Sequence, residues 1–234
     1  MTDERVMNIL AIAIILTLLL LLSLIWRRWR RSVRADYIRT YTFPPGLYEK
    51  LQKKRPELSL KESQLVGRAL RQFFLGYLQS GCRYVSMPSQ VTDDLWHEMI
   101  LYTRHYESFC KKAFGRFLHH TPAVVLSRNR QNNTGLRRIW WMTCREENID
   151  PRKPKRLPLL FAIDKKLNIA DGFFYETDCR ALHKSGSTNT TGVPYCGGDF
   201  SSTDFDGDTD GFGDWSDSGD SDGDGGCGGG CGGD

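Results

Sequence analysis

Two parts of this chain are defined by what they lack. Residues 6 to 26, VMNILAIAIILTLLLLLSLIW, contain no charged side chain, and residues 199 to 234 contain no lysine, arginine or glutamate. The first absence excludes an ordinary surface helix, since the 20 residues from Met7 to Trp26, at about 1.5 Å each, cover the ~30 Å hydrocarbon core of a bilayer. The second excludes a packed core, because eleven aspartates among Gly and Ser cannot bury enough apolar surface to offset the entropy of ordering. Also missing are the G-x-S-x-G, P-loop and dinucleotide-binding patterns, which counts against hydrolase, nucleotide and redox chemistry. No strand-length run alternates cleanly between apolar and polar residues.

What is present divides the 234 residues into three parts. Residues 1–35 form a transmembrane anchor with a basic juxtamembrane segment, 36–196 a helical domain, and 197–234 a disordered Gly/Asp/Ser-rich tail. A cleaved signal peptide fits poorly, because MTDER before the apolar run is acidic and WRRWRRSVR follows where small residues belong. Arg27, Arg28, Arg30, Arg31 and Arg34 after the run outnumber Arg5 before it. Positive flanks stay cytoplasmic, so the expectation is a single-pass protein of the cell (inner) membrane with its N-terminus outside. Residues 6–26 would meet the lipid bilayer and the five arginines its anionic headgroups.

Charge is divided as sharply as hydropathy. Residues 199–234 carry −11, so a total of +4 leaves +15 on the rest. A basic body beside an anionic leaflet is drawn toward it, and with no recognisable nucleic-acid module, nucleic acid is not expected as a partner.

The body reads as mainly α. Ala35 to Pro45 looks like a connection. Ser59 and Glu62 fit a capping box, after which Leu65, Ala69, Leu70, Phe73, Phe74 and Tyr77 recur at helical spacing up to Gly81. A third helix, capped by Asn133 or Thr134, holds Leu136, Ile139, Trp140 and Cys144, with Arg137, Arg138 and Arg145 on its wet side. NIDPRKPKRLP is a proline-broken surface loop, and LPLLFAIDKKLNIADGFFY returns to the core as a short helix or two with Asp171-Gly172 as a turn.

Between these helices, Met87 to Pro122 holds four of the five histidines, on or just after one long helix entered near Ser89 or Thr92, bent at Gly115 and ended by Pro122. Trp96, Ile100, Thr103, Tyr106, Cys110, Phe114 and Phe117 make its apolar stripe. His97-Glu98 begins like the zinc-protease H-E-x-x-H, but Leu101 stands where the second histidine belongs. A looser set remains, as Asp93, His97 and His105 step by multiples of four along one broad face. Two readings stay open. In one, His97 makes a buried structural bond beside Trp96 while His105, His119 and His120 are wet, and His97→Ala costs roughly 1–3 kcal/mol. In the other, Asp93 orients His97, and His119 or His120 folds back to complete a proton-transfer or divalent transition-metal site, with Asp93, His97 and His120 as ligands.

The string VTDDLWHEMILYTRHYESFCKKAFGRFLHH, with Asp93, Trp96, His97, Tyr106, Cys110 and Gly115, resembles the D-x-x-W-H…Y…C…G signature of the glycine-rich domain-containing protein-like family of plants and bacteria. LPLLFAIDKKLNIADGFFY followed by Cys179 is similar to the downstream block of its bacterial members, and the glycine-rich end suits a membrane-anchored one. Met99 stands where plant-type members carry a second histidine. The resemblance implies a domain rather than a reaction.

Seven cysteines, an odd number on the cytoplasmic side, read as free thiols, with zinc held among Cys179, His183, Cys196, Cys227 and Cys231 as the minor alternative. DGDTDG (206–211) opens like a calcium loop but places Asp217 where a bidentate Glu belongs, which leaves only weak divalent-cation association. The leading expectation is a membrane-anchored helical domain that binds a protein partner through its histidine face and acidic tail. The alternative is a metal-dependent enzyme centred on Asp93 and His97.

Overall fold

A computed structural model describes residues 2–120, 134–177 and 195–196. The acidic tail with DGDTDG, and Cys179, His183, Cys227 and Cys231, lie outside these residues. The fold is mainly helical: α1 (Thr2–Thr40), α2 (Leu47–Lys54), α3 (Leu60–Gln79), α4 (Gln90–Leu101), α5 (Thr103–Ala113), α6 (Thr134–Glu146) and α7 (Leu159–Lys166). Two short strands, β1 (Tyr175–Glu176) and β2 (Tyr195–Cys196), pair in parallel, Tyr175 opposite Tyr195.

α1 is one unbroken helix. Its most apolar 18-residue window has a mean hydropathy of 2.5 and no part of it is buried, so it is long and apolar enough to cross a membrane; an anchor and a signal sequence share this length and composition. Ala35–Pro45 is not a connection throughout, because the helix continues to Thr40. Nothing before Pro44-Pro45 breaks it, and its last turns belong to the body: Ile38 is fully buried, while the Tyr37 and Tyr41 rings lie 6.0 and 4.6 Å from that of Phe109.

α3 is the central element and packs against α1, α2, α4, α6 and α7. It starts at the expected capping box: Ser59 Oγ accepts from Glu62 N–H, and the Glu62 carboxylate accepts from Ser59 N–H at 2.8 Å. A Cβ at Gly76 would collide with Ile139 of α6, so glycine sets the closeness of that pair. Phe73, Phe74, Trp96, Phe109 and Phe114 form a continuous aromatic cluster where α3, α4 and α5 meet. In α6 Leu136, Ile139, Trp140 and Cys144 are buried and Arg145 exposed as expected, but Arg137 is half-buried and Arg138 is buried rather than wet; Asn133 lies outside the described residues. The Arg138 guanidinium donates to the Tyr84 carbonyl, and burial pushes its pKa down.

The single long helix expected from Ser89 or Thr92 to Pro122 starts as expected, with Ser89 Oγ accepting from Thr92 N–H at 3.2 Å, but is two helices. α4 ends at Leu101, Tyr102 takes φ −82° and ψ 58°, and α5 restarts at Thr103. No Gly or Pro marks the break. Instead the Tyr102 hydroxyl donates to the Pro45 carbonyl at 3.1 Å and Lys50 lies 4.3 Å from its ring centre, contacts from outside the segment. α5 stops earlier than Pro122, where Gly115 at φ 76° donates to the Cys110 carbonyl at 3.1 Å and turns the chain.

Two helix N-termini are satisfied from a distance. Asp164 of α7, 1 % exposed, accepts from Ser89 Oγ (2.7 Å), Gln90 N (2.8 Å), Val91 N (3.2 Å) and Phe173 N (2.9 Å). Burial raises its pKa and these donors draw it partly back. In return α7, which has Pro158 at its cap position, gives Leu159 N–H to Glu147 (2.6 Å) and Leu160 N–H to Gln72 (2.8 Å). Asp164→Ala orphans four donors at once and is expected to destabilise the full chain by about 3 kcal/mol or more in chemical denaturation, against below about 0.5 kcal/mol for Asp36→Ala at an exposed ion pair. A loss under about 1 kcal/mol at Asp164 would contradict its role as a joint.

Candidate functional site

α4 begins with three buried or nearly buried polar residues, Thr92, Asp93 and Asp94, and the two carboxylates find different partners. Asp94 accepts from Lys54 Nζ (2.6 Å) and Arg55 (2.7 Å), and Arg55 also holds Asp171 (2.5 Å). Both aspartates of Arg55 raise its pKa, and Arg55 holds that of Asp171 below the usual carboxylate range. Asp93 turns the other way, with Oδ1 2.9 Å from His120 Nε2 and Oδ2 3.6 Å from His97 Nδ1.

His120 arrives on a short strap after Gly115, and the strap is fixed by the signature aromatics. Trp96 Nε1 donates to the Tyr106 hydroxyl at 3.1 Å, and that hydroxyl donates to the Leu118 carbonyl at 2.5 Å. Tyr106 therefore links α4, α5 and the strap. Cys110 lies beside it, buried; burial pushes its thiol up in pKa, and the neighbouring Leu118 backbone and Tyr106 side chain draw it partly back. The His120 ring then stands edge-on to Trp96 at 4.6 Å and lies 3.9 Å from the His97 ring. From below, Arg34 of α1 donates to the Phe114 carbonyl at 3.0 Å and occupies the space beside Gly115.

The structure thus brings together Asp93, His97 and His120, whose candidate ligand atoms all lie within 4.8 Å of one another. Trp96 is their floor. His105, expected on the same face, is carried off by the break at Tyr102 onto exposed α5, near the Tyr102 ring at 6.2 Å. His119 is exposed against Phe117, 4.9 Å between rings. Burial is also reversed from the structural reading of the sequence: the His97 side chain is 51 % exposed, whereas that of His120 is 14 % exposed. The physical reason is the strap, which places His120 against Trp96 and Asp93, so that His120 takes the enclosed position expected for His97.

This set can accept a cation. Around a tetrahedral zinc with bonds near 2.0–2.1 Å, ligand atoms stand about 3.3 Å apart, and the three candidate ligand atoms, each within 4.8 Å of the others, can close to that spacing. His97 can rotate toward the ion because its side chain is only half enclosed. Of the remaining thiols, Cys82, Cys110 and Cys144 are free, as expected, and none belongs to the cluster. Reasoning from sequence missed Asp164 and Arg34, which support the site from distant positions and carry no local signal.

His120→Ala leaves the buried Asp93 carboxylate without its hydrogen bond and should destabilise the protein by about 1–3 kcal/mol. His97→Ala, by contrast, should cost under about 0.5 kcal/mol. Denaturant titrations of the full chain check this order, and a larger loss at His97 would mean that His97, not His120, is the structural histidine.

No curated protein and no solved structure matches this chain. One family model, described as UCP032817-like, matches residues 33–200, a span that starts inside α1 just before the turns that pack on the body. The match runs through Asp93, Trp96, His97, Tyr106, Cys110, Asp164 and every other side chain of the site, and by it the chain belongs to the UCP032817-like family.

Proposed function

We propose that this protein is a single-pass protein of the cell (inner) membrane, with its N-terminus outside and its helical body in the cytoplasm, and that the body works by binding. Its site takes a divalent transition-metal ion on Asp93, His97 and His120. The same surface is one contact surface toward a protein partner, and the acidic tail is a separate one. The observation that carries this reading is the exposure of His97: two ligands are held by the fold, while the third is free to move and does little for packing.

Membrane anchoring is supported by the exposed apolar side chains of α1, among them Leu16 and Leu20 at 60 %. Orientation rests on Arg27, Arg28, Arg30 and Arg31, which face solvent and suit anionic headgroups, and on Arg34, which adds its charge while bonded to Phe114. Kinship with the glycine-rich domain-containing proteins is part of the same proposal, and D-x-x-W-H…Y…C…G supports it. The second reading, a metal-dependent enzyme, draws on one feature: three protein ligands leave a coordination position for water, as in catalytic zinc sites.

Calorimetry of the detergent-solubilised full chain with zinc tests the site. About one equivalent should bind, at least tenfold more weakly in His97→Ala, and more weakly on acidification because both imidazoles must be deprotonated to ligate. Absence of saturable binding to the unmodified protein would overturn the proposal. For the topology, a C-terminal reporter should be active only as a cytoplasmic fusion, and activity solely on the outer side would reverse it.

A further inference from the structure

Where α1 leaves its apolar stretch it forms one wall of a groove of about 560 Å³, completed by the end of α3 and by α6. Arg31, Ser32 and Arg39 come from α1, Leu78 from α3, and Met142 and Arg145 from α6. We propose that this groove seats the phosphate headgroup of an anionic phospholipid from the leaflet in which α1 ends, an inference that rests on the membrane-anchored reading above.

Three observations carry it. The first is depth. Arg31 lies five residues beyond Trp26, the end of the uncharged run, and so about 7.5 Å further along an unbroken helix. The headgroup layer on one face of a bilayer is of the same thickness, about 5–7 Å. Arg30 stacks on Trp26 at 4.6 Å and Trp29 is 60 % exposed, so the interfacial residues stand on the membrane side of the groove.

The second is charge. Three arginines face one acid, Glu146, a net charge of +2 on the lining. Glu146 is already engaged by Arg39 at 2.9 Å and by Gln79 at 2.7 Å, so that pair stiffens the wall instead of repelling an anion. Arg31 comes from α1 and Arg145 from α6, and arginine forks suit phosphate oxygens.

The third is the floor. Leu78 and Met142, 4 % and 2 % exposed, give the groove an apolar base. A free phosphate ion has no use for such a base, whereas the glycerol and first methylenes of a lipid do. The groove lies within the roughly 300–1,000 Å³ common among ligand clefts.

Native mass spectrometry of the full chain, released from nanodiscs of phosphatidylcholine containing a minor fraction of phosphatidylglycerol, tests the assignment. The unmodified protein should retain about one phosphatidylglycerol. Arg31→Gln and Arg145→Gln should each lower its retention about fivefold, and Arg28→Gln, which removes the same charge from α1 outside the groove, should lower it by less than about twofold. Both groove positions are exposed, and circular dichroism should show all three variants folded. Equal losses in the three variants, or no retained anionic lipid on the unmodified protein, would overturn the proposal. So would displacement of the lipid by millimolar inorganic phosphate, which would make the groove a free-phosphate site. Carbonate washing of membranes separates the two readings: a chain that washes off defeats the anchor, while one that stays but shows no groove dependence defeats this inference alone.

Discussion

Everything in the body converges on the first turn of α4, where three carboxylates are buried together. Asp164 accepts the orphan N–H groups of that turn, Asp94 is met by Lys54 and Arg55, and Asp93 by His120. Buried carboxylates are expensive unless they are paired, and a helix N-terminus is a place where negative charge is favoured. The arrangement has a cost that only the assembled structure offsets, since the partners come from α2, α7 and the strap after α5. Each carboxylate depends on partners from another element, which is why these elements hold together as a unit around α4.

On the opposite side of Trp96, a second constraint fixes the strap. Tyr106 accepts from Trp96 and donates to the Leu118 carbonyl, while Gly115 supplies the left-handed turn and Arg34 fills the space beside it. Of the residues in the D-x-x-W-H…Y…C…G pattern, Asp93, Trp96, Tyr106, Cys110 and Gly115 are thus occupied in building the support. His97 is the exception: it makes no hydrogen bond within normal distance and is half exposed. A residue that the fold does not need, held beside two that it does, is where a binding role is most economically placed.

How much of this was legible in the sequence follows from how local each cause is. The capping box of α3 could be read because Ser59 and Glu62 are three residues apart and satisfy each other. The apolar stripes of α3 and α6 could be read for the same reason, and the triad Asp93, His97, His120 was within reach as one alternative. The break at Tyr102 could not, since its cause is Pro45 and Lys50, more than fifty residues earlier. Nor could the exchange of burial between His97 and His120, which depends on where the strap returns. Asp164 was hardest, for its partners Ser89, Gln90 and Val91 lie 73 to 75 residues away and its local sequence reads as an ordinary short helix. Local sequence gave no hint that α4 and α7 are capped from afar.

α1 raises a different point, because one helix serves as apolar span and as core element without a joint between them. Beyond Trp26 its side chains fall into two adjacent stripes. Arg34, Tyr37 and Ile38, the last two three and four residues beyond the first, face α5 and the body, whereas Arg31, Ala35 and Arg39, four apart, line the groove toward α6. Helical phase therefore ties the two faces: rotating the groove away from its place would pull Ile38 from the core and Arg34 from the Phe114 carbonyl. If α1 crosses a bilayer as proposed, the body cannot swing freely beneath it as it would on a linker. The Asp93, His97 and His120 site, anchored to the same Phe114–Gly115 turn through the strap, would then keep a fixed height and orientation relative to the membrane surface.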